Sequence, residues 1–243
     1  MYGMVNSIYY SFLNAPMWAW EGAIITFGTF FLLCASVVWD IVRKKPIKTV
    51  RHGDLTIELW ARERRMPSPG EAIIVPVAPD LRMNIGIAKW VRDVTADEVQ
   101  HEALAVAPLP PGDVFVGRGG KFRFGHTALA VVMDESKIPT PAWITDGVAH
   151  AIREARAEGA GTILLPDFTE DLLRQPPTIT DEQRRESCRP IARAMLEGVL
   201  QAGDTMETVK VWVWRKGYED IYAEEMDRLA DAEIHTGHAH AHA

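Results

Sequence analysis

Two cysteines in 243 residues, Cys34 and Cys188, are too few for a disulfide framework or a thiolate metal site. Residues 1–20 contain no lysine or arginine. That excludes a cleaved signal peptide, whose apolar core follows a positively charged start and precedes a small-residue cleavage site. Positive charge is short overall, 26 Lys and Arg against 33 Asp and Glu, a net charge of −7. Residues 51–243 carry the acidic excess, which makes them a poor partner for nucleic acid, where binding depends on neutralising phosphates. No internal repeat occurs, and no Ser/His/Asp pattern or reactive-looking cysteine stands out. His52, His101, His126 and His150 are isolated from one another in sequence. Gly117-Arg118-Gly119-Gly120 lacks the strand-then-helix setting of a phosphate loop and reads as a hairpin turn.

What the chain does have is an uncharged run over residues 22–39, fenced by Glu21 and Asp40. At ~1.5 Å per residue such a run makes roughly 27 Å of helix, about the thickness of bilayer hydrocarbon. Trp18, Trp20 and Trp39 stand at its ends, where indoles favour the membrane interface. Arg43, Lys44 and Lys45 follow at once, with Lys48 and Arg51 behind them. The positive-inside rule then predicts a single-pass inner-membrane anchor with its N-terminus outside and its C-terminal domain in the cytoplasm. Thr26, Thr29, Gly22, Gly28, Ala35 and Ser36 leave room for a neighbouring helix without forming a strict small-residue motif.

Beyond the run, strand-like and helix-like stretches alternate. Strands are expected at 55–60, 72–77, 114–116, 127–133, 161–165 and 209–214. Helices are expected at 86–91, 145–158, 180–203 and 218–229. Thr180 and Gln183 have capping-box spacing, and Pro190 predicts a kink. Alternation of this kind predicts an α/β fold, a mixed sheet with helices on both faces. The implied organisation is an N-terminal segment with its transmembrane helix and basic stretch at 1–50, a domain at 51–230, and a disordered His-rich tail at 231–243.

Several fragments stand in a telling order. They are Gly53-Asp54-Leu55-Thr56, Glu71-Ala72-Ile73-Ile74-Val75, Gly86-Ile87-Ala88-Lys89-Trp90-Val91, Pro111-Gly112-Asp113-Val114, the 144–166 helix–Gly–strand run, and Val209 to Trp214 with Tyr218. Together they resemble the macro domain, an α/β module best known for binding ADP-ribose. The resemblance implies a macro-like three-layer fold and gives Asp54 the place of the family's adenine-binding aspartate. It gives Gly86 the place of the last glycine in a diphosphate-binding triplet.

The ligand positions depart from that family. Its Asn-Ala-Ala-Asn motif reads Pro76-Val77-Ala78-Pro79 here, and proline offers neither an amide side chain nor an N–H. The glycine triplet reads Asn84-Ile85-Gly86. The second phosphate loop carries Asp167, Glu170 and Asp171 and no glycine through Arg174, where a phosphate cradle wants free N–H groups and no negative charge. Asp54 and Gly86 are therefore read as vestigial ligand positions, with no catalytic residue, no cofactor and no small-molecule ligand expected. Trp212 and Trp214 alternate with Val211 and Val213, so one pair faces the core and the other the core or a partner. His235, His238, His240 and His242 could chelate Zn, Ni or Cu loosely at the cost of ordering the tail, and no structural metal is expected.

The function expected on these grounds is a membrane-anchored, non-enzymatic assembly subunit. Its partners would be the lipid bilayer and other transmembrane subunits. In layout it resembles the H subunit of photosynthetic reaction centres, although the span holds no histidine to ligate a pigment. The alternative is a membrane-tethered reader or hydrolase of ADP-ribose or a related nucleotide.

Overall fold

A computed structural model describes residues 29–32, 34, 45–61, 70–119, 124–172, 180–203 and 206–240. The chain divides into two compact units, 1–45 and 46–243. The expected membrane span at 22–39 lies outside the described residues except for Thr29, Phe30, Phe31, Leu32 and Cys34. Those five are helical, and Phe30, Phe31 and Leu32 are 65%, 73% and 70% exposed. Trp18, Trp20, Trp39, Arg43 and Lys44 also lie outside the described residues; Lys45 is exposed. Among the described residues no helix is long and apolar enough to cross a membrane.

The second unit is a seven-stranded mixed sheet in the order β1-β2-β7-β6-β3-β5-β4. Its strands are β1 (Lys48–His52), β2 (Leu55–Ala61), β3 (Ala72–Val77), β4 (Val114–Arg118), β5 (His126–Val131), β6 (Thr162–Pro166) and β7 (Thr208–Val213). Strands β2, β7, β6, β3 and β5 run parallel, and β1 and β4 are antiparallel edges. The helices are α1 (Gly86–Val94), α2 (Glu98–Leu104), α3 (Pro141–Ala157), α4 (Thr169–Leu172), α5 (Asp181–Gln201) and α6 (Glu219–His240).

Period-two alternation sorts the strand residues into two cores. Leu55, Ile57, Leu59, Ile74, Ile163, Leu165, Val209, Val211 and Val213 pack with α3, α5 and α6. Trp60, Ile73, Val75, Val77, Leu129, Leu164 and Trp212 pack with α1 and α2. This is the expected sheet with helices on both faces. It also settles the β7 tryptophans: the valines take one core, the indoles the other, and both faces are covered.

Helix starts follow local chemistry. Thr140 caps α3 by accepting from the Trp143 N–H at 3.3 Å, with Pro141 opening the helix, so α3 begins earlier than its apolar face suggested. Thr180 and Gln183 form the expected capping box on α5, which continues through Pro190.

Three expectations change. The domain starts before residue 51, because Lys48 belongs to β1 rather than to a juxtamembrane stretch. Its Nζ donates to the Ala223 carbonyl at 2.9 Å and pairs with Asp227 at 2.5 Å. The tail expected to be disordered from 231 continues α6 to His240, since alanines such as Ala230, Ala232 and Ala239 favour helix where no proline stops it. His235, His238 and His240 fall on that extension, and His242 lies outside the described residues. The turn expected at Gly117-Arg118-Gly119-Gly120 is displaced: Gly117 and Arg118 close β4, and Gly119 donates to the Gly125 carbonyl at 2.9 Å.

Candidate functional site

The sheet opens between β3 and β6. These neighbours pair only at Ala72 with Ile163 and Ile73 with Leu164, whereas β3 pairs with β5 along its full length to Val77. Pro76 contributes to the separation, since proline has no N–H to continue a ladder in a central strand. From this point β3 leads towards α1 and the β4–β5 side, while β6 leads towards β7 on the other. A reversal of this kind at the carboxyl ends of parallel strands is where open α/β sheets form a ligand crevice.

One wall of the crevice is the 78–86 loop and the start of α1. Asn84, Ile85 and Gly86 are exposed, and Gly86 has φ +50. Ile85 occupies the N-cap in extended conformation with no side-chain cap, and the first turn of α1 contains no acidic residue. Such a turn attracts an anion through its N–H groups and the positive end of the helix dipole. The loop is held from beneath by Gln100 of α2. Its Oε1 accepts from the Met83 N–H at 2.6 Å, and its Nε2 donates to the Leu81 carbonyl at 3.1 Å. Leu81 adopts φ +53, a conformation unfavourable for leucine, which these buried bonds sustain. Nothing in the local sequence marks Gln100 for this role.

The opposite wall follows β6, and here the expected acidic loop differs. Asp167 is only 2% exposed and turns inward. Its Oδ1 accepts from the Thr169 N–H at 2.8 Å and the Tyr222 hydroxyl at 2.6 Å, while Oδ2 accepts from the Thr169 hydroxyl at 2.6 Å. Burial and then the Asp167 charge hold the Tyr222 phenol well above its usual pKa, so it stays a donor. This carboxylate is consumed by the fold and does not confront a ligand. Glu170 lies on α4, and the loop beyond Leu172 to residue 179 is outside the described residues. Cys188 below is buried, and burial, followed by the charge of Asp167, raises its thiol to about 11. It is therefore no nucleophile.

Above β7 stands an aromatic group that the sequence reading took for core or interface. Trp212 and Trp214 lie with ring centroids 4.2 Å apart. Trp90, one turn into α1, meets Trp214 edge-on at 6.4 Å. The indole N–H groups of Trp212 and Trp214 are buried and have no acceptor among the described residues. Unpaired buried donors are rare enough to need a reason, and a ligand is one. The alternating β7 pattern was visible in the sequence, but the approach of Trp90 was not.

Asp54 and Gly86 are not brought together. Asp54 sits in the β1–β2 turn at the amino end of β2, which is parallel to β7, β6 and β3. Gly86 stands beyond their carboxyl ends, so only Gly86 borders the crevice.

No family model matches the chain. An uncharacterized protein of Aquifex aeolicus is 22% identical over 143 residues, covering 58% of this chain and 87% of that one. A solved Oceanobacillus iheyensis macrodomain mutant with ADPR superposes with a TM-score of 0.59 at 14% identity, covering 76% of this chain and 98% of that one. The Trypanosoma brucei macrodomain in complex with ADP gives a TM-score of 0.53 at 10% identity, covering 70% and 68%. At these identities the likeness establishes the fold and nothing finer: residues 46–243 carry the macro-like α/β architecture expected from the motif order.

Proposed function

We propose that this protein binds a nucleoside-diphosphate ligand of the ADP-ribose class at the opening between β3 and β6. The observation that carries the reading is the entry to α1 at a strand-order reversal, where Asn84, Ile85 and Gly86 are exposed, Ile85 supplies no side-chain cap and the first turn holds no acid. It supplies N–H groups for a diphosphate. The Trp90–Trp214 pair adjoins that turn and offers an aromatic surface for a base. The inward turn of Asp167 removes one of the three charges that argued against an anion. The resemblance to macrodomains with bound ADPR or ADP supports the same ligand class. In this reading the 22–39 run tethers the binding unit to a membrane.

Calorimetry of the full chain with ADP-ribose tests the proposal. Micromolar binding is expected, weakened at least about 5-fold by Trp214→Ala, the lower end of what a stacked base contributes. No binding at millimolar ADP-ribose would refute it. That result would leave the second reading, a non-catalytic scaffold among other transmembrane subunits. Pro76 and Pro79 favour this scaffold reading, since neither can donate to a ribose, as do the exposed Phe30, Phe31 and Leu32.

A further inference from the structure

Helix α6 is anchored through its first half. Ile221, Tyr222 and Met226 pack into the core, and Glu225 pairs with Arg193 of α5. The helix then continues through residues 231–240, roughly 15 Å more at ~1.5 Å per residue. Extending a helix that is already formed avoids the cost of a new nucleus. Ala232 and Ala239 favour the extension, while Gly237 weakens it.

That register sorts the histidines of the tail. At about 100° per residue, His235 and His238 fall on one face, about 60° apart. Asp231 lies between them in angle, one turn nearer the core. His240 falls on the other side of the helix, about 140–160° from the pair. Helix positions three apart have Cβ atoms about 5–6 Å from each other, and a metal–imidazole bond is about 2 Å long. Two imidazoles at this spacing can therefore reach one ion. An extended chain would sort the residues differently. Its period of two would bring His238, His240 and His242 to one side and leave His235 on the other.

We infer that His235 and His238 hold a divalent transition-metal ion of the zinc, nickel and copper group on the carboxyl-terminal turns of α6. Imidazole suits these ions, whereas magnesium and calcium favour oxygen ligands. A cation is also favoured at this end of a helix, where the dipole is negative. The ordering cost that makes a flexible His-rich tail a loose chelator is already met by the helix. Because the pair straddles Gly237, a bound ion would in turn stabilise the turn that glycine weakens.

Calorimetric titration of the full chain with Ni²⁺ tests the site, in excess Mg²⁺ to occupy carboxylates but not imidazoles. One Ni²⁺ per chain is expected. His235→Asn and His238→Asn should each weaken binding about 100-fold, the lower end of what a second donor on the same scaffold adds. Gly237→Pro, which breaks the helix between the two histidines, should weaken it as much. His240→Asn should leave it unchanged, and so should Trp214→Ala, since the crevice takes no part. Loss of binding in His240→Asn with His235→Asn unaffected would overturn the proposal, because only an extended tail chelates that way. Full affinity in Gly237→Pro would overturn it too, as would no binding at millimolar Ni²⁺.

Discussion

Glu225 shows how a single side chain can join two helices. Its side chain is 3% exposed, yet it accepts from Arg193 at 2.9 and 3.2 Å and from Arg228 at 2.8 Å, with Arg189 at 3.4 Å. Burial alone would raise its carboxyl, but the hydrogen bonds from Arg193 and Arg228 outweigh it and hold the pKa down at about 2. A depressed folded pKa gives stability that is fully present above the ordinary value of 4.5 and lost as pH falls through about 2. Glu225→Gln should therefore be less stable at pH 7 by about 2 kcal/mol, and its Tm should depend less steeply on pH between 4.5 and 2. The figure is set below that for a fully buried pair because the three arginines are 29–43% exposed. Thermal melts across that window check both statements. Residue identity alone could not separate Glu225 from its exposed neighbour Glu224. Asp167 is the parallel case, since its place after a strand was legible while its inward turn depended on Tyr222, 55 residues away.

Between elements, α3 and α5 approach closely at Gly198. A Cβ placed on Gly198 would stand 2.6 Å from the Thr145 carbonyl oxygen and 2.9 Å from the Val148 Cβ. Thr145 also donates its hydroxyl to the Ala194 carbonyl at 3.1 Å, one turn away on the same contact. Gly198→Ala, which helix propensity alone would favour, should instead destabilise by about 1–3 kcal/mol as the helices are forced apart. Urea titration at constant m-value would measure it, and unchanged or improved stability would refute the contact's importance. Helices with strong local signals, such as α5 with its Thr180 box, were readable in advance. Strand β1 and helix α2 were not: β1 is five residues rich in charge, and α2 is a short helix opened by Asp97 at φ +62. Pairing with β2 across the Gly53-Asp54 turn stabilises β1, and α2 is tied through Gln100 to Met83 and Leu81, which are not its neighbours in sequence.

At the scale of the molecule, the tether is the remaining question. If residues 22–39 span a bilayer, the full chain should stay in the membrane pellet through alkaline carbonate extraction, and a chain beginning at Pro46 should appear in the supernatant. Release of the full chain by carbonate would refute the span. The length and lack of charge of that run, the order of strands and helices, and the apolar alternation that divides the core in two all belong to the sequence, because burial and backbone periodicity act through near neighbours. The macro-like fold was legible from motif order for the same reason. Only the folded sheet decided which residues share the crevice. It sent Asp54 to the far edge, withdrew Asp167 behind Tyr222, parted β3 from β6 beside Pro76, and brought Trp90 to Trp214. Each of these joins residues that are distant along the chain, and no local preference encodes which distant groups will meet.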